Sequence, residues 1–138
     1  MKDINAYLFF DGNCREAMTF YSEHFGAELE LMDMSQAPGH NVPDEAKQRI
    51  MHARLSKGPA VLMASDGMLG QPLAQGANFS VSVNCESLEE IERLFKAFAD
   101  QGKVTMPLDD VFWGARFGML TDRFGINWMF SFDKPKSA

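Results

Sequence analysis

The sequence has few cysteines and no long apolar run, and each shortage excludes a class of protein. Only two cysteines occur in 138 residues, Cys14 and Cys85. Neither lies in a Cys-x-x-Cys pair or has metal-ligand spacing, so we expect free thiols. No apolar stretch approaches the roughly 20 residues that a membrane helix needs. The segment Met1-Lys-Asp-Ile-Asn5 lacks the long apolar region of a secretory signal, so we expect a cytoplasmic protein.

Basic residues are also scarce. The chain carries 13 Lys and Arg against 19 Asp and Glu, a formal net charge of -6 at pH 7. Because there is no basic cluster to neutralise phosphates, the sequence excludes an electrostatic nucleic-acid partner. The hydrophobic fraction of 46% and the charged fraction of 23% are typical of a globular chain. The length predicts one ordinary domain, 1–138, or two small modules that share a core, and such a chain can bury roughly two-thirds of the surface that it exposes when unfolded.

The sequence contains an internal repeat. Asn5-Ala-Tyr-Leu-Phe-Phe10 and Asn78-Phe-Ser-Val-Ser-Val83 both read as strands that lead into amphipathic helices, with an offset of 73 residues from Asn5 to Asn78. Each helix carries start and stop signals. These are the capping boxes Asn13 with Glu16 and Ser87 with Glu90, and the left-handed C-terminal residues Gly26 and Gly102.

Each copy of the repeat predicts the order β-α-β-β-β. Module 1, about 1–68, continues with strands at Ala27–Met34, Arg49–Ser56 and Ala60–Ser65. Module 2, about 77–135, has strands at Phe79–Asn84, Val104–Leu108, Trp113–Leu120 and Ile126–Phe132 around a helix at Leu88–Gln101. Residues 71–77 form the linker. The segment Ser35–Asp44 is a long loop, either a lid or a surface crossing.

Several separated motifs in this order resemble the PhnB-like branch of the vicinal oxygen chelate superfamily, which includes glyoxalase I, bleomycin-resistance proteins and extradiol dioxygenases. The motifs are Tyr7-Leu-Phe-Phe-Asp-Gly-Asn13, Phe20-Tyr21, Phe25-Gly26, Met63-Ala-Ser-Asp66, Trp113-Gly114 and Asp122-Arg-Phe-Gly-Ile-Asn-Trp-Met129. The resemblance implies an α+β fold in which two βαβββ modules form curled, cup-like mixed sheets, and a homodimer. Proteins resembling this branch often carry the name of a ubiquinone-pathway methyltransferase. The chain lacks a Gly-rich strand-to-helix loop suited to S-adenosylmethionine, so we do not expect a methyltransferase.

The resemblance also implies positions for the superfamily's catalytic metal. Carried over, the first-strand positions fall on Asn5 and Asn78, and the last-strand positions on Val61 or Leu62 and on Trp128. Amides are weak ligands, and Val, Leu and Trp are none, so this set does not suit zinc, nickel or iron. We therefore expect no metal and no other cofactor.

A ligand-binding set is drawn partly from the resemblance, which places the face of Trp128 and Phe130 inside the cup. The residues are Asn5, Tyr7, Phe9, His52, Asn78, Ser80, Trp113, Arg116, Trp128 and Phe130, with Ser82 as a further polar point. Such a pocket would take an apolar or aromatic small molecule. The alternative is that these aromatic residues fill the core.

Two residues of this set have open alternatives. In a regular strand His52 shares a face with Ile50 and Arg54, which makes it a candidate general base or ligand donor, or else a structural histidine. Arg116 either anchors a carboxylate or phosphate, or pairs with Asp109 or Asp110. The remaining histidines, His24 and His40, read as surface residues.

Three functions follow from these expectations. The first is a metal-independent small-molecule binding protein, homodimeric, whose ligand is unidentified. The second is a superfamily enzyme, a lyase, isomerase or dioxygenase-like protein, with a relocated metal or a metal-free site that uses His52. The third is a protein with packed cups that acts through its dimer surface.

Overall fold

The computed structural model describes residues 1–36 and 43–135. The chain divides into two compact units, Met1–Ala74 and Gln75–Ala138, and each is described by itself. Most of the loop considered as a lid, and with it His40, lies outside the described residues. The described parts of that loop form short 3-10 helices at Met34–Gln36 and Asp44–Ala46.

The first unit is a four-stranded mixed sheet with one helix. Strand β1 spans Ala6–Phe10, α1 spans Cys14–Phe25, β2 spans Glu28–Asp33, β3 spans Ile50–Lys57 and β4 spans Ala60–Asp66. The order across the sheet is β1-β4-β3-β2, in which β1 and β4 are parallel and the other pairs are antiparallel. Every predicted strand of this module is present, with bounds that differ by at most one residue.

Alternation along the strands of the first unit separates a buried face from an accessible one. On β1, Leu8 and Phe10 are buried, whereas Tyr7 and Phe9 are exposed. Helix α1 packs against β2, β3 and β4 through Cys14, Ala17, Met18 and Tyr21. Since successive strand residues point to opposite faces, the core lies between α1 and one face of the sheet, and the other face is free of that helix.

The second unit repeats this arrangement. Strand β5 spans Val81–Asn84, α2 spans Leu88–Ala99, β6 spans Lys103–Asp110, β7 spans Ala115–Thr121 and β8 spans Asn127–Asp133. The order is β5-β8-β7-β6, again with one parallel pair, β5 with β8. The predicted α+β class and the repeated β-α-β-β-β order are confirmed: two open, mixed four-stranded sheets, each with a helix.

The core of the second unit is aromatic. Phe98 of α2 lies edge-on to Trp128 and Phe130 of β8, with ring centroids 5.2 Å and 5.3 Å apart. The indole Nε1 of Trp128 donates to Asp122 Oδ2 at 2.8 Å, so its polar atom is satisfied inside the core. Trp128 and Phe130 therefore join β8 to the helix.

The N-terminus of α1 differs from the predicted capping box. Asn13 makes no side-chain cap hydrogen bond. Instead the buried carboxylate of Asp66, at the end of β4, accepts from the backbone N–H groups of Gly12 at 2.7 Å and Cys14 at 3.1 Å, and its other oxygen accepts from Ile50 N at 2.8 Å. The N-terminus of α1 is thus capped by a side chain that lies 52 positions away from Cys14 in the sequence.

The other cap predictions divide. Ser87 accepts from Glu90 N at 3.0 Å, which confirms the cap of α2, and Gly26 has the predicted left-handed conformation. Gly102 does not: Gln101 has the positive φ, 59°. Position 102 requires glycine for a steric reason instead, because a Cβ there would lie 2.5 Å from the backbone oxygen of Thr121.

The two thiols are free, as predicted, and both are buried. Burial is the main reason that the pKa of Cys14 rises to about 12, with the carboxylate of Asp66 adding to it. The pKa of Cys85 also rises to about 12, again through burial and then through Glu90. Both therefore stay protonated at neutral pH.

Within the described ranges, no helix is long and apolar enough to cross a membrane.

Candidate functional site

Five residues on the accessible face of the first sheet form a continuous surface. We name it the Tyr7 face, and it consists of Tyr7, Phe9, His52, Arg54 and Met63. The strand register places Met63 of β4 between Tyr7 of β1 and Arg54 of β3. Phe9 and His52 lie two residues along their strands and so point to the same side. Tyr7 and Phe9 keep 37% and 55% of their surface exposed.

A hydrogen-bonded pair lies on this face. The phenol oxygen of Tyr7 is 3.1 Å from Nδ1 of His52. Their ring centroids are 5.8 Å apart, and the ring of Phe9 is 5.2 Å from that of Tyr7. Tyr7 and His52 were both expected at the site, and the partner that the sequence did not reveal for His52 is Tyr7, 45 residues away.

The pair presents a hydrogen-bond donor whichever way its protons are arranged. A neutral imidazole and a phenol carry one proton each, and their mutual hydrogen bond uses one of the two. The other is then held either by Nε2 of His52 or by the phenol oxygen of Tyr7. The Tyr7 face therefore combines aromatic surface with a donor that can contact a ligand.

Arg54 and Glu30 extend the polar part of this surface. They are directly opposite each other in the antiparallel pairing of β3 with β2. Both side chains are exposed, and they do not form an ion pair with each other. The guanidinium of Arg54 makes no hydrogen bond or ion pair to any other residue in the described parts of the chain.

The predicted face of His52 is correct for Arg54 and wrong for Ile50. Ile50 is fully buried, with 0% of its surface exposed. The register explains this, because His52 pairs with Met32 while Ile50 pairs with Asp33, so that Met51 is an extra residue. This bulge reverses the facing of the strand on its N-terminal side.

The expectation that Trp128 and Phe130 line the inner face of a cup is wrong. Their exposed fractions are 1% and 0%, and both contact Phe98 of α2. The face of β8 that is turned away from α2 carries Asn127, Met129 and Ser131 instead. For these two aromatic residues the alternative of core filling is the correct one.

Arg116 is held by acidic neighbours within its own unit. Its Nε donates to Glu92 at 2.7 Å, and its NH1 group donates to Asp110 at 3.3 Å. The hydrogen bond that Arg116 donates to Glu92 is the main reason that the pKa of Arg116 rises. The pKa of Asp110 falls, chiefly through a hydrogen bond from Lys134. The predicted pairing with Asp110 is present, and Glu92 is a partner that the sequence did not suggest.

The remaining candidates are spread along the chain. Asn5 precedes β1 and donates to Asp3 at 2.9 Å. In the second unit Asn78 is exposed, and Ser80 lies just before β5. Trp113 lies in the turn between β6 and β7, 5.0 Å from Phe112 and 5.8 Å from Phe117 between ring centroids. A binding role for these residues remains a prediction.

The residues present do not fit the metal that the resemblance implies. In the first unit the carried-over positions hold an amide at Asn5 and a hydrocarbon at Val61, and Leu62 is buried on the helix side. In residues 1–36 and 43–135, no three or more His, Cys, Asp or Glu side chains are arranged to hold a metal ion. Zinc, nickel and iron need such ligands, so these side chains do not suit any of the three metals.

A family model, a curated relative and a solved structure each match nearly the whole chain. The model of the family described as 3-demethylubiquinone-9 3-methyltransferase matches residues 2–131. Protein YjdN of Escherichia coli strain K12 is 31% identical over 143 residues, which cover 96% of this chain and 97% of YjdN. The crystal structure of protein PA1353 from Pseudomonas aeruginosa is 45% identical, with a TM-score of 0.88 over 98% of this chain and 100% of that one.

Two further solved structures share the fold. A PhnB protein from Bacillus cereus is 28% identical, with a TM-score of 0.77 over 95% of this chain and 99% of that one. A glyoxalase/bleomycin resistance protein/dioxygenase family enzyme from Burkholderia phytofirmans PsJN has a TM-score of 0.63 over 94% of this chain and 97% of that one. Its identity is only 11%, so this likeness concerns the fold.

Proposed function

We propose, given that this chain belongs to the PhnB-like branch of the glyoxalase/bleomycin-resistance/dioxygenase superfamily, that it is a small-molecule binding protein that works without the superfamily's metal. The supporting observation is the Tyr7 face. Exposed aromatic rings there lie beside a hydrogen-bonded phenol–imidazole pair, a combination that suits a planar, partly polar ligand.

The chemistry of the side chains favours binding over metal-dependent catalysis. The positions that would supply metal ligands carry an amide, a hydrocarbon and a core indole. A fold shared with enzymes does not by itself confer their activity, because function depends on the residues at the site. The same reasoning applies to the methyltransferase in the family's description, and we propose that the chain is not a methyltransferase.

The experiment is native mass spectrometry of the protein as purified from cells, in parallel with the variant Phe9→Ser. This substitution removes an exposed ring from the Tyr7 face and leaves the buried core intact. We expect an organic adduct on the wild type that is lost or much reduced in Phe9→Ser. Val81→Ala, in the second unit, is the control and should retain the adduct. A stoichiometric metal ion on the wild type would contradict the proposal.

A second function, an enzyme that uses His52, is favoured by one specific observation. A phenol and an imidazole within hydrogen-bonding distance can hold and transfer a proton, as general acid–base groups do. The test incubates a cell metabolite extract with the wild type or with His52→Gln and compares the masses present. Catalytic turnover requires masses that change over time with the wild type and stay constant with His52→Gln.

We also propose that the protein is a cytoplasmic homodimer. The support for the dimer is exposed apolar surface, including Phe112 with 97% of its surface exposed at the β6–β7 turn. Light scattering coupled to size-exclusion chromatography measures this directly. A mass of twice 15.5 kDa is expected, and a mass of one chain at micromolar concentration would contradict it.

A further inference from the structure

We infer that the ligand of the Tyr7 face is an aromatic acid, whose ring lies over Met63 and whose carboxylate is bound by Arg54. This inference depends on the proposed binding function and specifies the class of its ligand. The strand register aligns Tyr7, Met63 and Arg54 across three neighbouring strands.

The spacing of these three residues suits a planar ring with a polar end. Neighbouring strands are about 4.8 Å apart, so the backbones of Tyr7 and Arg54 are about 10 Å apart with Met63 midway. A thioether side chain contacts aromatic rings favourably. The rings of Tyr7 and Phe9 bound this surface on the side of β1. A ligand ring placed over Met63 thus has its substituent directed toward β3.

Arg54 is available for such a substituent. The other arginines of the described chain all have partners: Arg15 pairs with Asp33, Arg49 with Asp11, Arg116 with Glu92, and Arg93 and Arg123 also make contacts. Arg54 makes no such contact among the described residues, and it lies directly opposite Met63 in the pairing of β3 with β4. An unpaired guanidinium binds a carboxylate through two parallel hydrogen bonds.

His52 contributes to the same ligand group. It lies two residues before Arg54 on β3 and points to the same side of the sheet. When the phenol of Tyr7 donates to Nδ1, the proton of the imidazole is on Nε2, where it can be donated to a carboxylate oxygen. A guanidinium and an imidazole N–H on one strand therefore both favour an anionic group.

Glu30 is the residue that could compete with a ligand carboxylate for the guanidinium of Arg54, but its position weakens this competition. It lies on β2, on the far side of Arg54 from Met63, so the ring and the glutamate approach the guanidinium from opposite sides. The two side chains are exposed, and the attraction between exposed charges is largely screened by water and salt. A ligand carboxylate with two hydrogen bonds competes well with an unbonded glutamate.

The test uses two probes that share one ring system, 2-naphthoate and the neutral 2-naphthamide. Isothermal titration calorimetry measures both dissociation constants for the wild type, for Arg54→Gln and for Lys103→Gln. The last variant removes one exposed positive charge from the second unit and serves as the control for net charge. Arg54 is exposed, so its replacement is expected to leave the fold intact, which circular dichroism verifies.

We expect the wild type to bind naphthoate about tenfold or more tightly than naphthamide, as a charge-assisted hydrogen bond predicts. Arg54→Gln should bring naphthoate to the affinity of naphthamide, and Lys103→Gln should change neither. Equal binding of both probes by the wild type, or unchanged naphthoate binding by Arg54→Gln, would overturn the assignment to an acid while the binding function stands. Failure of the wild type to bind either probe would count against the binding function itself.

Discussion

Replacing Asp66 by Asn tests which side chain caps the N-terminus of α1. The carboxylate accepts three backbone N–H groups, from Gly12, Cys14 and Ile50, and is buried. An amide of the same size has one oxygen, so its NH2 group must face at least one of these N–H donors. An unsatisfied buried donor costs about 1–3 kcal/mol, and the remaining bonds lose the strength that the charge gives them. We expect a loss of about 3 kcal/mol in the free energy of unfolding.

Denaturant titration followed by far-ultraviolet circular dichroism measures this loss, and two variants calibrate it. Asn13→Ala should cost less than about 0.5 kcal/mol, because Asn13 makes no side-chain cap bond, whereas Ser87→Ala should cost about 1 kcal/mol as a true N-cap. If Asn13→Ala cost about 1 kcal/mol while Asp66→Asn cost almost nothing, the helix would be capped by the Asn13 capping box, and the capping role of Asp66 would be refuted.

Three further predictions concern packing and titration. Gly102→Ala should lower the free energy of unfolding by about 1–3 kcal/mol, because its Cβ would clash with a backbone oxygen, whereas Gly67→Ala has room and should be nearly neutral in the same denaturant titration. Phe98→Ala should cost about 3–5 kcal/mol, since it removes the ring between the helix and two aromatic residues of β8, and an effect below about 1 kcal/mol would contradict that core. Above pH 9.0 an unfolded thiol loses its proton while the folded Cys85 keeps its own until about 12, so stability falls as the pH rises through this window. Between pH 7.5 and pH 10 the wild type should lose about 1.4 kcal/mol more than Cys85→Ala, and equal losses would show that the thiol is not perturbed.

Much of the fold could be predicted from local patterns. Alternation and 3.6-residue periodicity are properties of short segments, so both helices and the strands of the repeat were identified with bounds close to those observed. The cap of α2 is likewise local, because Ser87 and Glu90 are three residues apart. The cap of α1 is not, since Asp66 lies 52 residues from Cys14 and only the folded sheet brings them together.

The candidate site was predicted in part, and the errors have physical reasons. Alternation shows that Trp128 and Phe130 share a face, but it does not show which face meets the helix. The side of the sheet on which Ile50 lies was predicted wrongly, because one extra residue in β3 shifts the pairing. No local sequence pattern indicates such a bulge. Tyr7, Phe9 and His52 were identified, yet their mutual contacts and the neighbouring Met63 depend on strand register, which a single strand's sequence does not fix.

The most direct test of the central claim, that the Tyr7 face binds small aromatic molecules, is a nuclear magnetic resonance titration with [methyl-13C]methionine-labelled protein. Met63 lies in the Tyr7 face and Met32 pairs with His52 beside it, whereas Met18 belongs to α1 and is fully buried. Met63→Leu and Met32→Leu assign the two signals. On addition of 2-naphthamide the account predicts shifts of the Met63 and Met32 methyl signals, which an aromatic ring placed over them produces, and no shift of Met18. A titration that leaves Met63 and Met32 unshifted, or shifts only signals of other methionines, would contradict it.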